Sequence, residues 1–108
     1  MTEPSLHHIP MVAGLAYIER VRRLPSQLTV TLQPERDDRY FLHAIAVLAD
    51  GEKVGYVAPE IARRYHAPML AYPAPLTCPA RRASVSDHRA SGVELILDFS
   101  ELPISAEP

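Results

Sequence analysis

The feature that most constrains this chain is the segment of residues 44–59, AIAVLADGEKVGYVAP, because it predicts a β-hairpin at the centre of the fold. Residues 44–49 form a near-continuous apolar run, which is typical of a strand buried on both faces. Residues 54–57 form a second short run rich in β-branched and aromatic side chains. Asp50 and Gly51 between them tolerate the positive φ that a two-residue hairpin turn requires. We therefore expect a tight hairpin with a β-rich core around it.

Further strands are predicted on both sides of the hairpin. Four segments have the apolar content or the alternation of strands, and they are residues 9–18, 28–32, 80–86 and 93–99. Residues 19–25 are predicted to form a charged connection. Residues 71–79 contain three prolines and are predicted to form an extended surface connection with no place in the sheet.

Residues 59–67, PEIARRYHA, predict one short α-helix. A proline at its first position and a glutamate at its second suit a helix start. Ile61 and Tyr65 are four residues apart and share a core-facing side, while Pro68 is expected to end or kink the helix. Six short strands and one helix predict a mostly β fold, a small and partly open barrel, because a small sheet buries its apolar face best by curling.

The composition is that of one small domain. A chain of 108 residues has the common size of a single domain, and we expect that domain at residues 9–100 with flexible ends at 1–8 and 101–108. No run approaches about 18 apolar residues, so no membrane-spanning helix is expected. The start lacks the pattern of a secretory signal, which predicts a cytoplasmic protein. The single cysteine, Cys78, excludes an internal disulfide and a cysteine-based zinc site. It predicts a small buried or half-buried hydrophobe, with a reactive thiol as the alternative.

The net charge of −2 conceals an uneven distribution. Residues 53–89 hold six basic and two acidic side chains, whereas residues 94–107 hold four acidic and no basic ones. A basic middle can attract an anionic partner locally, and it can equally be a solvated surface.

The polar loop of residues 33–43, QPERDDRYFLH, is the one place where metal-dependent chemistry has candidate ligands. Its acidic and histidine side chains are Glu35, Asp37, Asp38 and His43. Oxygen ligands of this kind can hold a divalent cation, but Arg36 and Arg39 are interleaved and offset the charge that a metal needs. Without a nucleophile set elsewhere, we expect no metal, no cofactor and a binding module rather than an enzyme.

Five short segments, in order, resemble the HIRAN domain family. They are residues 12–17 (VAGLAY), 28–32 (LTVTL), 38–47 (DRYFLHAIAV), 51–57 (GEKVGYV) and 60–62 (EIA). The resemblance implies a small six-stranded OB/SH3-like β-barrel. It also implies a module that captures single-stranded DNA at its 3′ end.

The resemblance further implies a site made of aromatic and basic side chains. Tyr17 and Tyr40 match aromatics that stack on terminal bases, and neighbouring cations hold phosphates in such sites. The candidate nucleic-acid-binding residues are Tyr17, Arg36, Arg39, Tyr40, His43, Arg63 and Arg64. The alternatives are half-buried core tyrosines, a solvated arginine pair, and a hydrogen-bonded structural histidine at position 43.

Two departures from the family pattern leave two function classes open. Ala16 stands where a basic residue commonly precedes the first aromatic, and Phe41 stands where an aspartate accepts a hydrogen bond from the 3′ hydroxyl. The first class is a module for single-stranded DNA. The second is a protein-interaction module that docks a partner on an exposed barrel edge or on residues 71–79. Affinity that falls steeply with added salt distinguishes the first class.

Overall fold

A computed structural model describes residues 6–36, 43–83 and 95–107 of the chain. The strands are β1 (Ile9–Val12), β2 (Gln27–Pro34), β3 (Ile45–Ala49), β4 (Glu52–Val57), β5 (Leu76–Arg82) and β6 (Leu95–Leu97). The helices are α1 (Ile18–Arg22) and α2 (Pro59–Ala71), and a 3-10 helix (Gly14–Tyr17) precedes α1. In this described part of the chain, neither α-helix has the length and apolarity needed to cross a membrane.

The strands form a closed antiparallel barrel in the order β1-β4-β3-β2-β5-β6. The predicted mostly β fold with six strands is confirmed. The barrel is closed rather than partly open, because β6 pairs with β1 as well as with β5. Every strand of the described barrel therefore has two neighbours, and the exposed edge expected for a docking partner is not found among these strands.

The central hairpin is confirmed. Strands β3 and β4 pair from Ala46 with Tyr56 to Ala49 with Glu52, and the turn residues have φ values of 51° at Asp50 and 81° at Gly51. Two positive φ values match the type I′ turn, whose twist agrees with that of the flanking strands.

The chain after β1 folds differently from the prediction. β1 ends at Val12 because Ala13 adopts a left-handed conformation with a φ of 64° and starts the 3-10 helix. The predicted connection at residues 19–25 contains α1, whose Val21 is fully buried. The guanidinium of Arg82 donates to the carbonyls of Val21 at 2.9 Å, Arg22 at 3.0 Å and Leu24 at 2.6 Å, so it ties the end of α1 and the residues after it to β5.

Helix α2 continues past Pro68 to Ala71, four residues beyond the predicted end. Proline has no N–H to donate to the carbonyl four residues earlier, which here belongs to Arg64. The backbone N–H of Glu107 donates to that carbonyl at 2.7 Å instead. The missing donor is thus replaced from the far end of the chain.

The C-terminal segment, residues 98–107, packs on the core beside α2, whereas the sequence predicts a flexible end from residue 101. Phe99 is buried and meets the ring of Tyr65 edge-on at 5.2 Å between centroids. Leu102, Ile104 and Ala106 are half-buried against the core.

Only residues 72–75 of the segment 71–79 form a connection outside the sheet. Strand β5 begins at Leu76, and Pro79 pairs with Thr29 of β2 while its carbonyl accepts a hydrogen bond from the backbone of Asp98 at 3.0 Å. The neighbouring Cys78 points inward and is buried, as predicted, and this burial raises the pKa of its thiol to about 12.

Candidate functional site

An apolar pocket of about 110 Å³ lies where β1, β4, the start of β3 and the first turns of α2 meet. It is lined by Val12, Ala13, His43, Ala44, Tyr56, Val57, Pro59 and Ala62. Six of these eight residues are aliphatic, so the pocket suits an apolar or flat group.

Tyr56 is held in this pocket by a polar network on the outside of the barrel. Lys53 Nζ donates to the Tyr56 hydroxyl at 2.8 Å and to Glu35 Oε2 at 3.0 Å. Residues three apart on a regular strand face opposite sides, but a register shift at Val47/Leu48 places Lys53 and Tyr56 on the same side. The hydrogen bond to Tyr56, together with Glu35, raises the pKa of Lys53. Tyr56 is therefore a half-buried residue of the pocket wall.

Glu35 fastens the start of the loop that leads to the pocket. Its backbone N–H donates to the carbonyl of Ala44 at 2.8 Å, and its own carbonyl accepts a hydrogen bond from His66 Nε2 at 2.7 Å. The carboxylate of Glu35 forms an ion pair with Lys53 at 3.0 Å, so Glu35 ties the start of the loop to β4. In the described part of the chain, no three His, Cys, Asp or Glu side chains are grouped as a metal site requires.

Two histidines, His43 and His66, lie beside this loop. His43 is exposed and has a φ of 69°, and a hydrogen-bonded structural role for it stays a prediction. The buried, hydrogen-bonded histidine is His66 on α2, whose ring meets that of His43 edge-on at 5.4 Å. No sequence signal separated His66 from the other polar positions of the helix, because its acceptor lies 31 residues away.

An open basic groove of about 550 Å³ adjoins the pocket. It is lined by His43, Arg63, Arg64 and Glu107, so His43 belongs to the walls of both pocket and groove. Arg63 and Arg64 are exposed, and Arg64 Nε donates to the carbonyl of Glu107 at 3.3 Å. The structure thus brings together three of the predicted site residues.

The remaining predicted residues lie elsewhere. Tyr17 is half-buried in the 3-10 helix, outside the pocket lining, with the guanidinium carbon of Arg20 at 5.6 Å from its ring centroid. Arg36 is exposed where the described part of the loop ends. Tyr40 and Arg39, like Asp37, Asp38 and Phe41, lie outside the described residues.

In a comparison with protein families, the HIRAN domain matches residues 9–74, which is more than half of the chain. The chain belongs to the HIRAN domain family. The HIRAN match runs from β1 through α2, so it includes the apolar pocket and both groove arginines. Strands β5 and β6 and the C-terminal segment lie beyond the matched residues. Neither a curated protein nor a solved structure matched the chain.

Proposed function

We propose that this HIRAN domain is a non-enzymatic module that binds single-stranded DNA through the apolar pocket and the basic groove. The observation that carries the proposal is the position of His43, which lines both cavities and makes them one continuous surface. Single-strand binding sites combine a positively charged groove, which follows the backbone, with aromatic side chains on which bases stack. Here Tyr56 and His43 are the rings of the pocket, and Arg63 and Arg64 line the groove beside it. Membership of the family supports the same partner.

In this proposal Arg63 and Arg64 hold backbone phosphates. Both are on the exposed side of α2, next to the turn whose Ala62 closes the pocket. One N–H of the Arg64 guanidinium donates to the carbonyl of Glu107. Because a guanidinium has five N–H donors, other donors of Arg64 remain for a phosphate. Arg36 and Arg39 at the neighbouring loop would extend this track.

Stacking by Tyr17 and Tyr40 completes the proposal. Arg20 lies over the Tyr17 ring and is held there by an ion pair with Glu52 at 2.9 Å. A base would therefore stack on the other face of Tyr17 or displace Arg20. Tyr17→Ala and Tyr40→Ala are each expected to weaken DNA binding without unfolding the domain.

The test is fluorescence anisotropy of a labelled oligonucleotide of about 12 nucleotides, within the range of single-strand binding sites, titrated at low and moderate salt. Arg63→Gln and Arg64→Gln should each weaken binding and reduce the logarithmic salt slope by about 1. Arg23→Gln is the matched control, because Arg23 is exposed beyond α1 and outside the groove lining while the charge change is identical. Equal losses of oligonucleotide affinity in all three variants would refute the role of the groove in binding. A 3′ phosphate in place of the 3′ hydroxyl shows whether end recognition persists without an aspartate at position 41.

A protein-interaction module is the second candidate, and the aliphatic pocket favours it. Leu15, close in sequence to the pocket residue Ala13, is an apolar side chain with 73 % of its surface exposed. An apolar side chain of a partner protein would fit this surface without phosphate contacts. Absence of oligonucleotide binding even at low salt would favour this candidate.

A cytoplasmic location of the protein stays a prediction.

A further inference from the structure

The walls of the apolar pocket offer a ligand little hydrogen bonding. Most of the lining is aliphatic, and the one tyrosine in it, Tyr56, already shares its hydroxyl with Lys53 and Glu35. His43 stands at the rim, where it is exposed and also lines the groove. A polar atom that entered the pocket would lose its water without gaining a partner, which is costly.

This lining distinguishes among the parts of a DNA strand. Phosphates are charged, sugars carry oxygen atoms, and most base edges present hydrogen-bond donors or acceptors. Thymine alone of the four bases carries a methyl group, at C5, and proteins recognise it by apolar contact with small side chains such as alanine. Ala13, Ala44 and Ala62 supply such contacts here.

The geometry points to a specificity: the pocket receives the C5-methyl edge of a thymine in the bound strand. This inference rests on the proposed function, because the charged groove is what commits the occupant to a nucleic acid. The size agrees. The pocket of about 110 Å³ is smaller than the roughly 150 Å³ cavity that encloses a whole benzene ring, so it takes one edge of a pyrimidine rather than a complete base.

The test compares oligonucleotides that differ only in that methyl group. The full chain is titrated with labelled oligo-dT and oligo-dU of equal length, and with oligo-dC and its 5-methylcytosine counterpart, at one low ionic strength. Burial of one methyl group predicts about fourfold tighter binding of dT than of dU. The same group on cytosine should raise affinity by a similar factor.

A pocket variant separates this contact from stronger stacking by the methylated base. Val12→Thr keeps the shape of a half-buried strand residue in the pocket wall and adds a hydroxyl group. It should lower the dT to dU ratio toward one, and thermal unfolding followed by circular dichroism shows whether the variant is folded.

Three results would overturn the inference in distinguishable ways. Equal binding of dT and dU by the parent protein removes the specificity and leaves the proposed function standing. A fourfold preference that persists in Val12→Thr places the methyl group elsewhere on the surface. Failure to bind any of the four oligonucleotides refutes the proposed function and this inference with it, in favour of a protein partner.

Discussion

Substitution of Gly55 by alanine probes the closest approach between β4 and β1. A Cβ atom at this position would lie 2.7 Å from Met11 Sδ and 2.8 Å from the carbonyl oxygen of Val12. Carbon atoms in optimal contact are about 3.5–4.0 Å apart, so both distances are strongly repulsive. Met11 is fully buried, and Val12 belongs to a strand that pairs on both sides, so neither group moves freely.

The expected cost is that of overpacking a filled core, about 1–3 kcal/mol. For a domain of this size each kcal/mol lowers Tm by about 4–8 °C. Thermal unfolding followed by circular dichroism measures the shift, and urea unfolding gives the free energy of unfolding. Gly51→Ala is the comparison, because nothing lies within 4 Å of its Cβ and only its φ of +81° penalises the substitution, by about 1–2 kcal/mol.

A double substitution isolates the steric cause. Met11→Ala removes the side-chain half of the clash, so Gly55→Ala should cost less in that background than in the parent, by at least about 0.5 kcal/mol. The reasoning is refuted if Gly55→Ala leaves Tm unchanged, or if the two substitutions are strictly additive.

Three further predictions follow from contacts outside the pocket. Arg82→Met keeps the aliphatic stem but removes the donors to the carbonyls at the end of α1. It should lower the free energy of unfolding, measured in urea, by about 1–3 kcal/mol. An unchanged midpoint of urea unfolding would contradict a stabilising role for these hydrogen bonds. Hydrogen bonds from the Ser100 hydroxyl and N–H, with a smaller contribution from His7, lower the pKa of Asp98. The ionised carboxylate therefore stabilises the fold at pH values above its unfolded pKa of about 3.9. This stabilisation is lost as the pH falls through the lower pKa of the folded state. Ser100→Ala should therefore destabilise the protein near neutral pH and much less in strong acid, and an equal loss at both would disprove the linkage. Because burial raises the pKa of Cys78 to about 12, the native thiol should react with a disulfide reagent at pH 8 far more slowly than the thiol in urea, and rapid native labelling would disprove this.

The sequence was informative wherever adjacent residues decide the conformation. The Asp50-Gly51 turn forms as predicted because both residues tolerate positive φ, and β3 is buried as its apolar run indicates. The mostly β fold class and the number of strands follow from the same local sequence patterns. The start of α2 at Pro59 also matches, since the residues of the first turn determine it.

Part of the candidate site was predictable and part was not. Arg63 and Arg64 follow from the phase of one helix, and His43 was a candidate because it stands at a position of the HIRAN pattern. The roles of Lys53 and Tyr56 were missed because a register shift in the hairpin places them on the same side, against the regular alternation of a strand. Such a shift depends on the pairing of two strands and has no signature in either strand alone.

By itself, the sequence determined a mostly β domain of the HIRAN family with a central hairpin and an arginine-bearing helix. Tertiary structure decided where the helices end and how the barrel closes. Arg82 donates to the carbonyl of Arg22, the last residue of α1, from 60 residues away, and Glu107 donates to the carbonyl of α2 that Pro68 leaves without a donor. Strand β6 closes the barrel by pairing on both sides. The physical reason is that turns and periodicity depend on neighbours in sequence, whereas a backbone group without a partner accepts one from any residue that the fold brings near.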